Sequence, residues 1–204
     1  MTVSMTFLDH MRRGAKEILD RFPDGLKPEI YVVSFNIWRV NYDPRFPFLT
    51  IGYNTESEVR RALDTECSYE GAARWEYSYW LLEGFEKLGR VPEDPVGGEL
   101  YVEEMRKRGI WYDGEAGPLE RPQVEVGVED MRDSVDERLV LDFDEVCIGL
   151  ARHLHDSGQL DAALGRAVPI VVFDMDRPEW EIEATEAANP PSLIAEFSAH
   201  VGGS

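Results

Sequence analysis

The stretch "VPIVVFDMDR", Val168 to Arg177, decides how the chain is read. Its first six residues, Val168 to Phe173, are an unbroken apolar run rich in β-branched side chains, the pattern of a strand covered on both faces. A central strand is therefore expected there. Outward from it, "EIYVVSFNIW" from Glu29 to Trp38 and "FPFLTIGYN" from Phe46 to Asn54 have the same character, and the Pro-containing "RVNYDPR" joins them. Such a pair reads as adjacent antiparallel strands. The expected fold class is α+β, a single domain over residues 1–204 with a small, mainly antiparallel sheet and helices packed on it.

Helical spacing of Leu8, Met11, Ala15, Ile18, Leu19 and Phe22 predicts a first helix, capped by Ser4 and stopped by "FPDG". Thr55 and Glu58 have the spacing of a capping box, in which each side chain bonds the other's backbone N–H, and they open a short helix to Leu63. "SYEGAARWEYSYWLLEGFEKLG" fits two patterns. Ala73, Trp75, Tyr77 and Tyr79 alternate as in a strand, whereas Ala72, Trp75, Tyr79, Leu82 and Phe85 follow a helical stripe. Its length exceeds that of an ordinary strand, so a helix ending at Gly89 is expected, with its aromatics mostly in the core. From Val91 to Asp142, Pro, Gly and acids dominate; an irregular acidic region is expected, with one helical patch at Leu100 to Arg108 and a short apolar "IWY" at Ile110 to Tyr112. "DFDEVCIGLARHLHDSG" restores helical spacing up to Gly158, and "QLDAALG" adds a turn or two. Pro178 and Pro191 can each start a helix, one reaching Ala188 and the other His200.

With 43% apolar and 11% aromatic residues the chain can bury a core, and no apolar run approaches the roughly 20 residues of a bilayer span. No membrane partner is expected. "MTVSMTFLDHMRRGAKEILDRF" lacks a basic start followed by an apolar stretch, so the cytoplasm is the expected compartment. Cys67 and Cys147 stand apart, in no Cys-x-x-Cys arrangement, and read as ordinary buried thiols. The net charge of −19 is uneven: residues 1–90 hold 14 acids and 12 bases, whereas residues 91–204 hold 26 acids and 9 bases. Such a surface repels nucleic-acid phosphates and attracts basic proteins, so a basic protein is the expected partner and no nucleic acid is expected. Solubility or salt adaptation explains the same charge, and 4 Lys beside 17 Arg is compatible with a genome-composition effect.

The acids that end the opening stretch raise phosphoryl transfer, because an apolar strand running into Asp-x-Asp is how haloacid-dehalogenase-type phosphatases open their site. Asp174 and Asp176 match that pattern. Arg177 and Pro178 follow where a Gly-Thr turn is needed, and the 28 residues after Asp176 contain no Lys for the phosphate. The two acids therefore read as a strand-to-helix junction. His153 and His155 are two apart on a predicted helix and point in different directions, unlike a metal pair four apart. His10 and His200 are isolated. "PVGGEL" lacks the Lys-Ser/Thr of a phosphate loop, and Asp142, Asp144 and Glu145 miss the calcium-loop spacing. No catalytic, cofactor-binding or metal-ligating residue is assigned, and no cofactor.

Three segments, "ARWEYSYWLLEGFEKLG" at 73–89, "RGIWYDGE" at 108–115 and "PIVVFDMDRPEWEIEATEAANPPSLIAEF" at 169–197, together resemble an uncharacterised bacterial family of cytosolic proteins, a domain of unknown function. Trp75, Tyr77, Trp80 and Leu81 match its first element, Trp111 and Tyr112 its second, and Ala188, Asn189 and Pro190 its third. These are packing and turn residues, so the resemblance implies a fold and transfers no site. The function expected is a non-catalytic protein-binding module, such as an immunity protein or antitoxin that covers a basic toxin. The alternative is an enzyme whose site is assembled from scattered residues.

Overall fold

The structure, a computed structural model, describes residues 5–80, 85–114 and 126–202, and the side chains of its longest helix from Ser134 onward. Four strands form one mixed sheet: β1 (Ile30–Arg39), β2 (Pro47–Thr55), β3 (Lys87–Gly89) and β4 (Ile170–Asp174), in the order β3-β2-β1-β4. β1 pairs antiparallel with β2 and parallel with β4, and β2 pairs antiparallel with β3. Helices cover both faces, which gives the α+β architecture read from the sequence.

The β1–β2 connection turns through Asn41 and Tyr42, both left-handed at φ 55° and 59°. Asn tolerates that region and Tyr resists it, so the turn is held from outside. Arg45 does this from a position 2% exposed: its Nε and Nη2 donate to the Asp43 carboxylate at 3.0 and 2.6 Å, and its Nη1 donates to the Gly114 carbonyl at 2.9 Å.

On one face, α1 (Phe7–Asp20), α4 (Pro95–Arg108), α5 (Val126–Asp156) and α6 (Gln159–Leu164) bury Phe7, Met11, Tyr101, Phe143 and Leu160 against Val33, Phe35, Ile37 and Leu49 of the sheet. On the other, α2 (Glu56–Thr65), α3 (Glu70–Trp75) and α8 (Ala195–Gly202) bury Val59, Ala73, Trp75 and Phe197, with Trp80, against Tyr31, Val171 and Phe173. The first helix is capped by Thr6, whose Oγ1 accepts from Asp9 N at 3.1 Å while the Asp9 carboxylate accepts from Thr6 N at 3.2 Å. Ser4, the expected cap, lies outside the described residues. Thr55 opens α2 as expected, accepting from Glu58 N at 3.2 Å, but Glu58 turns to Arg61 and Thr55 N–H goes to Asn54 Oδ1. The box is half made.

β4 is not central. It is the edge strand, yet every residue in it is buried, because Ile170 and Val172 enter one core and Val171 and Phe173 the other. Its outer edge is closed by α7 (Glu181–Ala188) and the residue after it. Asn189 accepts from Ile170 N and donates to Ile170 O, both at 2.7 Å, and Thr185 Oγ1 accepts from Val172 N at 3.1 Å. Two side chains thus supply the hydrogen bonds that a fifth strand would. A continuous apolar run reports coverage of two faces and does not report neighbours within the sheet.

Three further expectations are corrected. The long helix expected up to Gly89 is three pieces among the described residues: α3, a single 3-10 turn at Tyr77–Tyr79, and β3, whose Gly89 has φ 127° and pairs with Phe48. Packing decides this against helical spacing. Trp75 meets Tyr31 and Phe197 edge-on, while Trp80, one turn beyond the break, meets Tyr31 and Phe173. The region expected to be irregular from Val91 to Asp142 contains α4, entered through Asp94 as N-cap and left through Gly109 at φ 69°, and α5 from Val126. The last predicted helix starts at Ala195 rather than at Pro191.

Candidate functional site

Asp174 ends β4 and Arg39 ends β1, so the parallel pairing brings an acid and a base to the same end of the sheet. Arg39 Nη1 and Nη2 donate to both Asp174 oxygens at 2.9 to 3.0 Å, and Nη1 reaches Asp176 at 3.2 Å. Arg177 Nε and Nη2 add bonds to Asp174 at 2.9 and 2.6 Å, and Nη2 also donates to Asp144 of α5 at 2.5 Å. Burial opposes ionisation of Asp174, but the hydrogen bonds and charge of Arg39, joined by Arg177, outweigh it and hold the carboxyl below its usual range. Both oxygens of Asp174 are engaged by two guanidiniums, and the motif stands where β4 leads into a helical segment, at the strand-to-helix junction expected from sequence. The cluster sets three carboxylates against two guanidiniums. Asp144 Oδ1 and Arg39 Nε are left without hydrogen-bond partners, and burial lifts the Asp144 pKa to about 6 despite Arg177 and Arg39.

The junction leads into α7, whose inner face (Ala184, Thr185, Ala188) is buried and whose outer face is acidic. Glu179, Ile182, Glu183 and Glu186 fall three and four residues apart on one exposed stripe, and Ile182 is 42% exposed among the carboxylates. Residues 178–202 carry five Glu and no Lys or Arg. At the start of the helix, burial and the charge of Glu76 raise the Glu181 pKa to about 7.

For an acid raised in this way the folded state holds the proton more tightly than the unfolded chain does. Its stabilising contribution is complete below about pH 4 and is lost as pH rises through the folded value. Glu181→Gln is therefore expected to leave stability near its parent value at pH 5 and to exceed it at pH 8 by about 1 to 3 kcal/mol. His155 works in the opposite sense, since burial lowers its pKa despite the bond to Asn189, so the variant must be compared with its parent at each pH. Urea unfolding at both pH values measures the difference; parallel curves would refute a half-buried, proton-holding Glu181.

The other residues singled out from sequence separate. His155 Nε2 meets Asn189 Oδ1 at 3.0 Å, whereas His153 faces Gln159. Asp142 pairs with Arg108 at 2.9 Å and Asp144 joins the arginine cluster, so the suspected calcium acids diverge. Cys67 and Cys147 are buried free thiols. His10, isolated in sequence, meets Asp94 at 2.9 Å across 84 positions; Asp94 also caps α4 through Gly97 N and accepts from Gly89 N. A Cβ on Gly97 would lie 2.1 Å from that carboxylate, which explains the glycine.

Sequence reasoning missed two features. Ser34 and Asn36 of β1 and Thr50 of β2 form a buried polar row, Asn36 directly opposite Thr50, with neither hydroxyl nor the Asn36 amide hydrogen-bonded. The signal was present in "VVSFNIW", where polar residues interrupt the apolar strand. The second feature is a groove of about 980 Å³ between α4 and the β1–β2 turn, floored by Arg90. Its lining is scattered through the chain, and no local spacing announces it.

Among the described residues no three His, Cys, Asp or Glu side chains gather as a metal site, and no helix is long and apolar enough to cross a membrane. No family model, no curated protein and no solved structure matches the chain.

Proposed function

We propose that the chain is a protein-binding module that receives a basic partner on the outer face of α7, as an immunity protein or antitoxin receives its toxin. The observation that carries this reading is the stripe of Glu179, Glu183 and Glu186 around exposed Ile182, in a segment without Lys or Arg. An apolar anchor ringed by like charges is costly on an idle surface and useful at an interface, where the anchor buries area and the charges steer approach. The raised Glu181 supports it as well. A cationic side chain arriving beside Glu76 and Glu181 would favour the ionised form, so binding would release a proton near neutral pH.

The test is affinity capture at low salt, followed by association kinetics with the captured protein. Association is expected to slow by about 10-fold or more between 0.1 M and 1 M salt, as the screening length falls from about 10 Å to about 3 Å. The triple variant Glu179→Lys, Glu183→Lys, Glu186→Lys is expected to slow association further, with dissociation less affected. A partner whose association ignores both salt and the triple variant would refute the reading. Salt adaptation predicts instead that the isolated protein gains stability in molar salt and retains no basic partner.

A further inference from the structure

Arg90 follows β3 and lines the groove together with Val40 and Phe46 on one side and Gly98 and Val102 of α4 on the other. Its guanidinium carbon lies 3.8 Å from the centre of the Phe46 ring and 4.6 Å from that of Trp111, and its Nη1 donates to the Arg45 carbonyl at 2.7 Å. The head group is thus clamped between two rings and tied at one corner. Among the described residues it pairs with no carboxylate, although the chain carries 40 acids and most of the other arginines in the structure have found one. Burial, reinforced by the charge of Arg45 and opposed in part by Asp43, lowers its pKa.

The wall above it is open for a reason of its own. Gly97 is glycine because Asp94 leaves no room, but a Cβ on Gly98 would rest 3.5 Å from Arg90 Cγ, ordinary van der Waals contact. Alanine would fit there and favour the helix. Glycine keeps free the space over Arg90 instead.

We infer that this groove binds a small amphipathic carboxylic acid, with the carboxylate on Arg90 and the apolar body between Val40, Phe46 and Val102. A guanidinium held between two rings presents its free N–H edge in a fixed plane, which suits the two oxygens of a carboxylate. The volume is that of a small-molecule site. The rim carries both signs, Glu99 and Glu103 beside Arg106 and Lys107, and Glu103 is paired with Lys107 at 2.6 Å, which leaves Arg90 as the inner cation. The groove shares no residue with the α7 stripe, so this inference stands or falls apart from the partner reading.

The probes are 4-phenylbutyrate and its uncharged amide, titrated calorimetrically and by Trp fluorescence, with Trp111 as reporter against Arg90. The acid is expected to bind saturably and the amide about 10- to 100-fold more weakly, the range for loss of a charged hydrogen bond. Arg90→Met is expected to abolish that preference and Arg90→Lys to retain part of it. Gly98→Leu fills the space over Arg90 without touching its anchors, and is expected to remove binding while leaving the circular dichroism unchanged. Equal affinity for acid and amide would overturn the inference. So would undiminished binding in folded Gly98→Leu protein, or no saturable binding of the acid up to about 10 mM.

Discussion

Replacing Arg39 with Met is expected to lower unfolding stability by about 3 to 5 kcal/mol, the range for removing one partner of a buried ion pair. The side chain of Arg39 is 4% exposed and that of Asp174 is fully buried. Without Arg39, the buried carboxylates of Asp144 and Asp174 are left to share Arg177. Most of the loss comes from the stranded acids rather than from a missing attraction, so the double variant Arg39→Met, Asp174→Leu should recover part of it. Chemical denaturation of the two variants and the parent at pH 7 decides the matter. If Arg39→Met unfolds like the parent, the cluster does not organise this end of the sheet.

Trp80→Ala and Trp75→Ala are each expected to cost about 3 to 5 kcal/mol through the cavity left by a buried aromatic. Trp75 is 6% exposed and Trp80 is 7% exposed. Trp80 carries more than area, since its Nε1 donates to the Arg74 carbonyl at 3.0 Å and fixes where the chain leaves α3. Trp80→Phe keeps most of the area and loses that bond, so it should fall between Trp80→Ala and the parent. Melting of both alanine variants at the parent temperature would mean that α3 and α8 do not pack on the sheet.

What could be read from the sequence was what neighbours in the chain determine. The antiparallel pair β1–β2 followed from β-branched and aromatic density, and the start of α2 from a Thr hydroxyl three residues before the N–H that donates to it. Misreadings arose where distant residues decide. Trp75 fits a helical stripe, but its ring partners lie on β1 and α8 and those of Trp80 on β1 and β4, and the backbone bends between them to reach these sites. The edge position of β4 depends on Asn189 and Thr185, which lie beyond it in sequence and resemble turn and helix residues. The candidate surfaces divide in the same way. The acid excess of residues 91–204 was visible in the sequence and its concentration around Ile182 was not, while the groove needs Val40, Arg90 and Val102 brought together by the fold.

The closure of β4 by Asn189 and Thr185 bears on self-association through strand edges. A bare outer edge on β4 would offer a ready template for strand addition by another copy, and its residues Ile170 to Asp174 are of the apolar, β-branched kind that polymerises. The shield lies on a segment made only after the strand itself, so during folding there is an interval in which β4 can pair with β1 while its far side is open. Docking of α7 removes that edge as a template, and two hydrogen-bonding side chains are enough to do it.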